Sequence, residues 1–140
     1  MKSVRRIALL VLLVSIGFAQ QSWAATPVAK TKSLAESNNG QRIQVTSGTT
    51  LQITLHSTYW TEGKVKNLVK IGEPQISPIM PSANATPGCQ HAGMGCGTII
   101  WKFKAVKKGS ALFTATRISC GEALKCTADQ TTYSLNIVIK

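Results

Sequence analysis

Ile99-Ile100-Trp101-Lys102-Phe103-Lys104-Ala105, followed by Val106-Lys107-Lys108-Gly109-Ser110 and then Ala111-Leu112-Phe113-Thr114-Ala115-Thr116, is the stretch that decides the fold. Ile99, Trp101 and Phe103 alternate with Ile100, Lys102 and Lys104, the period-two spacing of a strand with one buried face. Lys107-Lys108-Gly109-Ser110 carries the turn signal that sends the chain back into a second strand ending at Ile118. Trp101, a large aromatic on the alternating apolar face, is assigned to the core.

Working outward, the same pattern recurs. Ile43 and Val45 alternate with polar residues, Ser47-Gly48 turns the chain, and Leu51, Ile53 and Leu55 continue at period two. Tyr133, Leu135, Ile137 and Ile139 make the last such run. Residues 66–71 and 75–80 add two shorter strands, with Pro74 and Pro78 marking an edge or a break. The expected strands are therefore 43–46, 50–56, 66–71, 75–80, 98–106, 110–118 and 132–139. About seven short strands separated by turn signals predict an all-β chain, an immunoglobulin-like antiparallel β-sandwich.

The first 24 residues belong to a different kind of segment. Lys2, Arg5 and Arg6 precede an uncharged apolar run from Ile7 to Phe18, and Ser22 and Ala24 sit at the −3 and −1 positions of a cleavage site. That pattern predicts a secretory signal peptide over 1–24. The apolar run is shorter than the roughly 20 residues a membrane-spanning helix needs, so no stable membrane insertion is expected after cleavage. An N-terminal extension over 25–42 and a sandwich domain over 43–140 complete the expected organisation. The chain is read as an exported monomer, periplasmic or secreted, and Asn84-Ala85-Thr86 fits a glycosylation sequon.

Export gives the four cysteines an oxidising environment, where disulfides are the simplest reading of an even number. Four cysteines allow three pairings, and sequence alone does not choose among them. The local pairs Cys89–Cys96 and Cys120–Cys126 are favoured because short loops close most readily. A zinc site is the competitor, but C-x6-C and C-x5-C are wider than the two to four intervening residues usual in zinc knuckles. No metal and no cofactor are expected.

Charge and chemistry narrow the function. Sixteen Lys and Arg against five Asp and Glu give a formal net charge of +11, of which the leader holds Lys2, Arg5 and Arg6. The remaining basic residues are scattered, with no run beyond Lys107-Lys108, so a solvated face is favoured over a nucleic-acid site, and an acidic protein partner is a weak hint. Glu36, Glu62, Glu73, Glu122 and Asp129 are dispersed, and His56 and His91 are the only histidines. General acid–base chemistry needs positioned carboxylates or imidazoles, and Ser57 and Ser119 lack a nucleophile-elbow context. An enzyme is not expected.

Three loops lie outside the strand pattern: His56 to Gly63, Pro81 to Gly97, and Ser119 to Gln130. In a Greek-key sandwich they are the BC, DE and FG loops, which gather at one end. Candidate binding residues on them are Ser57, Thr58, Tyr59, Trp60, Gly93, Met94, Gly95, Gly97, Arg117, Ser119 and Gly121. Tyr59 and Trp60 can be read either as aromatic anchors for a partner or as strand-end packing. The glycines allow close backbone approach.

The chain resembles the chagasin-like inhibitors of papain-type cysteine proteases from about Ile43 to Ile139. The resemblance is carried by Val45 to Leu55, by Gly93-Met94-Gly95-Cys96-Gly97 before Trp101 to Ala105, and by Lys108 to Leu112. It implies an immunoglobulin-like sandwich that wedges three loops into a protease cleft and blocks it without chemistry, with a papain-like protease as partner. The loop tips differ from the family pattern. Thr58 and Tyr59 match Asn-Pro-Thr-Thr-Gly-Tyr loosely, Cys96 is interposed in the Gly-x-Gly-Gly motif, and Ile118-Ser119-Cys120 follows Arg117 in place of Pro-Trp. Each cysteine pair thus falls at a tip where the family presents a contact motif. Two alternatives stand beside the inhibitor reading. One is a structural or protein-binding exported module. The other is a copper site from His56, Cys89, His91 and Met94, whose Cys-to-His spacing is shorter than blue-copper proteins use.

Overall fold

A computed structural model describes residues 30–78, 95–121 and 124–140. Among these lie nine strands: β1 (Thr31–Leu34), β2 (Arg42–Val45), β3 (Thr50–His56), β4 (Thr61–Lys66), β5 (Val69–Lys70), β6 (Gln75–Pro78), β7 (Gly97–Lys104), β8 (Gly109–Thr116) and β9 (Thr132–Ile139). One sheet has the order β1-β3-β7-β5, with β6 also pairing β7. The other has the order β2-β9-β8-β4. The all-β sandwich predicted from the sequence is the fold observed, and the expected signal peptide lies outside the described residues.

The period-two runs form the centre of both sheets. Leu51, Ile53 and Leu55 of β3 stand beside Phe103, Trp101 and Ile99 of β7. In the facing sheet, Ala111, Phe113 and Ala115 of β8 stand beside Ile137, Leu135 and Tyr133 of β9. All twelve are buried. Phe113 bridges the sheets, its ring 5.5 Å from Trp101, 5.3 Å from Phe103 and 6.2 Å from Tyr133. The small Ala111 and Ala115 flanking it on β8 leave room for those rings, the large-beside-small packing that fills a sandwich core.

The edges depart from expectation. The segment read as an N-terminal extension supplies β1, which pairs in parallel with β3 and buries Leu34. β2 pairs in parallel with β9, so antiparallel pairing holds for the central strands while each sheet has one parallel edge. The strand expected at 66–71 is reduced to β5, which pairs with β7, while β4, which pairs with β8, lies earlier and shares only Lys66 with that span. β4 shows one partly buried residue, Val65, among six, and such a strand carries no alternation to read. Its ladder shifts register between Glu62 and Val65, where Gly63 lies so close to Thr114 that a Cβ would stand 2.6 Å from Oγ1. Lys70 on β5 reaches Glu62 on β4 at 3.5 Å and so links the two sheets on their open side. The strand expected at 110–118 ends at Thr116, and Ile118 is 89% exposed.

Candidate functional site

His56, the end of β3, pairs with Thr98 near the start of β7. In the other sheet Thr116, the end of β8, pairs with Thr61 at the start of β4 and with Thr132 at the start of β9. The connections β3–β4, β6–β7 and β8–β9 therefore leave from one end of the sandwich. The first is shorter than expected, since Thr61 already belongs to β4. Of the second, Gly95 and Cys96 are described; Gly93, Met94, Cys89 and His91 lie outside the described residues.

The first loop is tied to the second through its backbone. Ser57 N–H donates to Gly97 O at 2.9 Å and Thr58 N–H to Gly95 O at 2.8 Å. Ser57 adopts φ +91°, uncommon for a residue with a Cβ, and its Oγ accepts the Tyr59 N–H at 3.2 Å. Gly95 is buried at φ +67°, and a Cβ there would stand 2.2 Å from Cε2 of Tyr59. The half-buried Tyr59 ring therefore rests on the second loop's backbone, which only glycine permits. Cys96 is disulfide-bonded.

Trp60, one of the two candidate anchors, belongs to the core at 5% exposure. Its Nε1–H donates to His56 O at 2.9 Å, and the Arg117 guanidinium lies over its ring, 4.5 Å from the centroid. Strand-end packing is thus its place, because β4 begins directly after it. Arg117 in turn donates Nε–H to Gln130 O and its backbone N–H to Thr131 O, each at 2.9 Å. Both residues hold the first and third loops together from within.

The third loop folds back on itself. Cys120 and Cys126 form a disulfide with Cα atoms 5.0 Å apart, Ser119 bridges to Lys125 in antiparallel fashion, and Cys120 N–H donates to Leu124 O at 2.9 Å. Ser119 Oγ donates to Gly121 O. This small loop projects Ile118 and Leu124, which are 89% and 69% exposed. Sequence reasoning missed both, having placed Ile118 in a strand; the exposing signal was the cysteine two residues later.

Beneath the loops lies a polar cluster built on the N-terminal segment. Glu36, in the 3-10 turn after β1, accepts the His56 backbone N–H, and its carboxylate sits 3.1 Å from His56 Nδ1. Burial alone would raise the Glu36 pKa, but the hydrogen bonds and charge of His56 outweigh it and hold the carboxyl below its usual range. Tyr133 OH donates to Ala35 O at 3.0 Å; burial, with the Glu36 charge adding to it, raises the phenol pKa. His56 is the one member of the copper-type set within the described residues, and its ring nitrogen is engaged by Glu36. Among the described residues, no group of three or more His, Cys, Asp or Glu could hold a metal ion.

These features define an all-β sandwich with three connections leaving one end and a disulfide-bridged third loop. No protein-family model and no curated protein sequence matches the chain. Solved structures do. Amebosin aligns with a TM-score of 0.52 at 16% identity, over 79% of this chain and 98% of its own. The cysteine protease inhibitor EhICP2 of Entamoeba histolytica aligns with a TM-score of 0.52 at 12% identity, over 82% of this chain and all of its own. At such identities the likeness establishes the fold, and function must be argued from the site.

Proposed function

We propose that this chain is an exported inhibitor of papain-like cysteine proteases, acting by binding rather than by chemistry. It is supported by a fold like that of a cysteine protease inhibitor, together with a loop end pre-shaped by Ser57–Gly97, Thr58–Gly95 and Arg117–Gln130 hydrogen bonds. An edge already folded loses little conformational freedom on association, which favours affinity. Ser57, Thr58, Tyr59, Gly93, Met94, Ser119 and Gly121 form the contact surface, while the buried Gly95 and Gly97 and the residues Trp60 and Arg117 keep its shape from below. The Cys120–Cys126 bridge suits an oxidising compartment, in keeping with a cleaved signal over 1–24.

Steady-state titration of papain and of a cathepsin-type protease with the mature chain tests the proposal. Reversible competitive inhibition, with apparent KM rising and kcat constant, is the expected result. Full protease activity at high micromolar chain would reduce the likeness to common ancestry and favour a structural exported module.

A further inference from the structure

Six large apolar side chains are exposed among the described residues: Val69, Ile71, Ile76, Val106, Ile118 and Leu124. Four of them are between 40% and 55% exposed, whereas Leu124 reaches 69% and Ile118 reaches 89%. Those two lie on the same loop and line one open groove together with Lys125. Apolar side chains scattered singly over a surface are ordinary; two held together at a loop tip are not.

The loop also fixes them. The Cys120–Cys126 bridge closes it, Ser119 pairs with Lys125, and Leu124 O accepts the Cys120 N–H. A side chain on a closed, hydrogen-bonded loop is displayed at low entropic cost to binding. The cost of exposing it to water is recovered when a partner covers it. Lys125 lines the same groove and puts a positive charge beside the apolar pair.

We infer that Ile118 and Leu124 are the third loop's anchor and determine which proteases the chain blocks, entering an aliphatic-lined side-chain pocket whose rim carries an acidic residue facing Lys125. The inference rests on the inhibitor reading above and adds to it the chemistry of the pocket. Buried apolar anchors govern the dissociation rate, and rim charges govern the association rate and its salt dependence.

The test compares the mature chain with Ile118→Ser, Leu124→Ser, Lys125→Glu and a control, Val106→Ser, against papain and a cathepsin-type protease. Val106 lies in the turn before β8 at the opposite end of the sandwich. Because both anchors are exposed, thermal midpoints of their variants should match the parent. The expected result is inhibition weakened about tenfold or more for Ile118→Ser and Leu124→Ser, chiefly through faster dissociation. Lys125→Glu should slow association and weaken its salt dependence, and Val106→Ser should behave as the parent. Inhibition by the parent with unchanged constants for both anchor variants overturns the anchor and leaves the inhibitor reading standing. Unchanged association for Lys125→Glu overturns the acidic rim. No inhibition by the parent overturns the inhibitor reading and the anchor with it.

Discussion

Trp60 joins the core to the loop end. Its indole is buried, its Nε1–H is satisfied by His56 O, and Arg117 covers its ring. Trp60→Ala should therefore lower unfolding stability by about 3–5 kcal/mol, measurable as a reduced urea midpoint. An unchanged midpoint with weakened protease binding would instead make it a surface anchor. The pattern His56-Ser57-Thr58-Tyr59-Trp60 left both roles open, because aromatic residues are common in cores and at interfaces alike. What decides between them is the start of β4 at Thr61, a tertiary pairing with Thr116 that local sequence does not announce. Glu36 gives a second test at this scale. Its folded pKa is lowered, so its contribution to stability is present above the ordinary carboxylate pKa and is lost as pH falls through the depressed value. His56, Arg117 and Tyr133 are the titratable groups facing it. Thermal midpoints of the parent should fall more steeply below the usual carboxylate range than those of Glu36→Gln; identical slopes would contradict the role of this carboxylate.

Elements with regular alternation could be read directly. β3, β7, β8 and β9 bury every second residue along most of their length, and their hydrophobic period locates them without reference to partners. β1 and β4 are different: one buries only Leu34 and the other only partly buries Val65. Such edge strands owe their existence to the ladder beside them, so their residues need only tolerate extension. The isolated Gly63 was the available signal for the irregularity in β4. The third loop is legible in part, since the close spacing of Cys120 and Cys126 pointed to their bridge. Reducing that bridge should cost about 2 kcal/mol, the low end for disulfides, because the closed loop is short. Guanidinium unfolding with and without reductant measures it, with Cys120→Ser/Cys126→Ser isolating this bridge. Thiol reactivity at these two cysteines in the folded, unreduced chain would contradict the pairing.

At the scale of the whole molecule, the sandwich separates two ends with different constructions. The distal end is closed by tight turns, with Gly48 N–H donating to Ala105 O at 2.6 Å and Ala105 N–H to Thr49 O at 3.0 Å. The other end carries the three loops, cross-tied by backbone hydrogen bonds and by Arg117 over Trp60. That the loops gather there could be anticipated from strand order alone, since successive strands of a Greek-key sandwich alternate direction. How they are tied could not, because Ser57–Gly97 and Trp60–Arg117 join residues tens of positions apart. The central claim is that the loop end is the surface that meets a protease. Amide hydrogen exchange of the mature chain, alone and with a papain-like protease, tests it most directly. The account predicts added protection over 57–60, 95–97 and 117–131 and unchanged exchange over 46–49 and 105–109. No added protection, or protection confined to the distal turns, would contradict it.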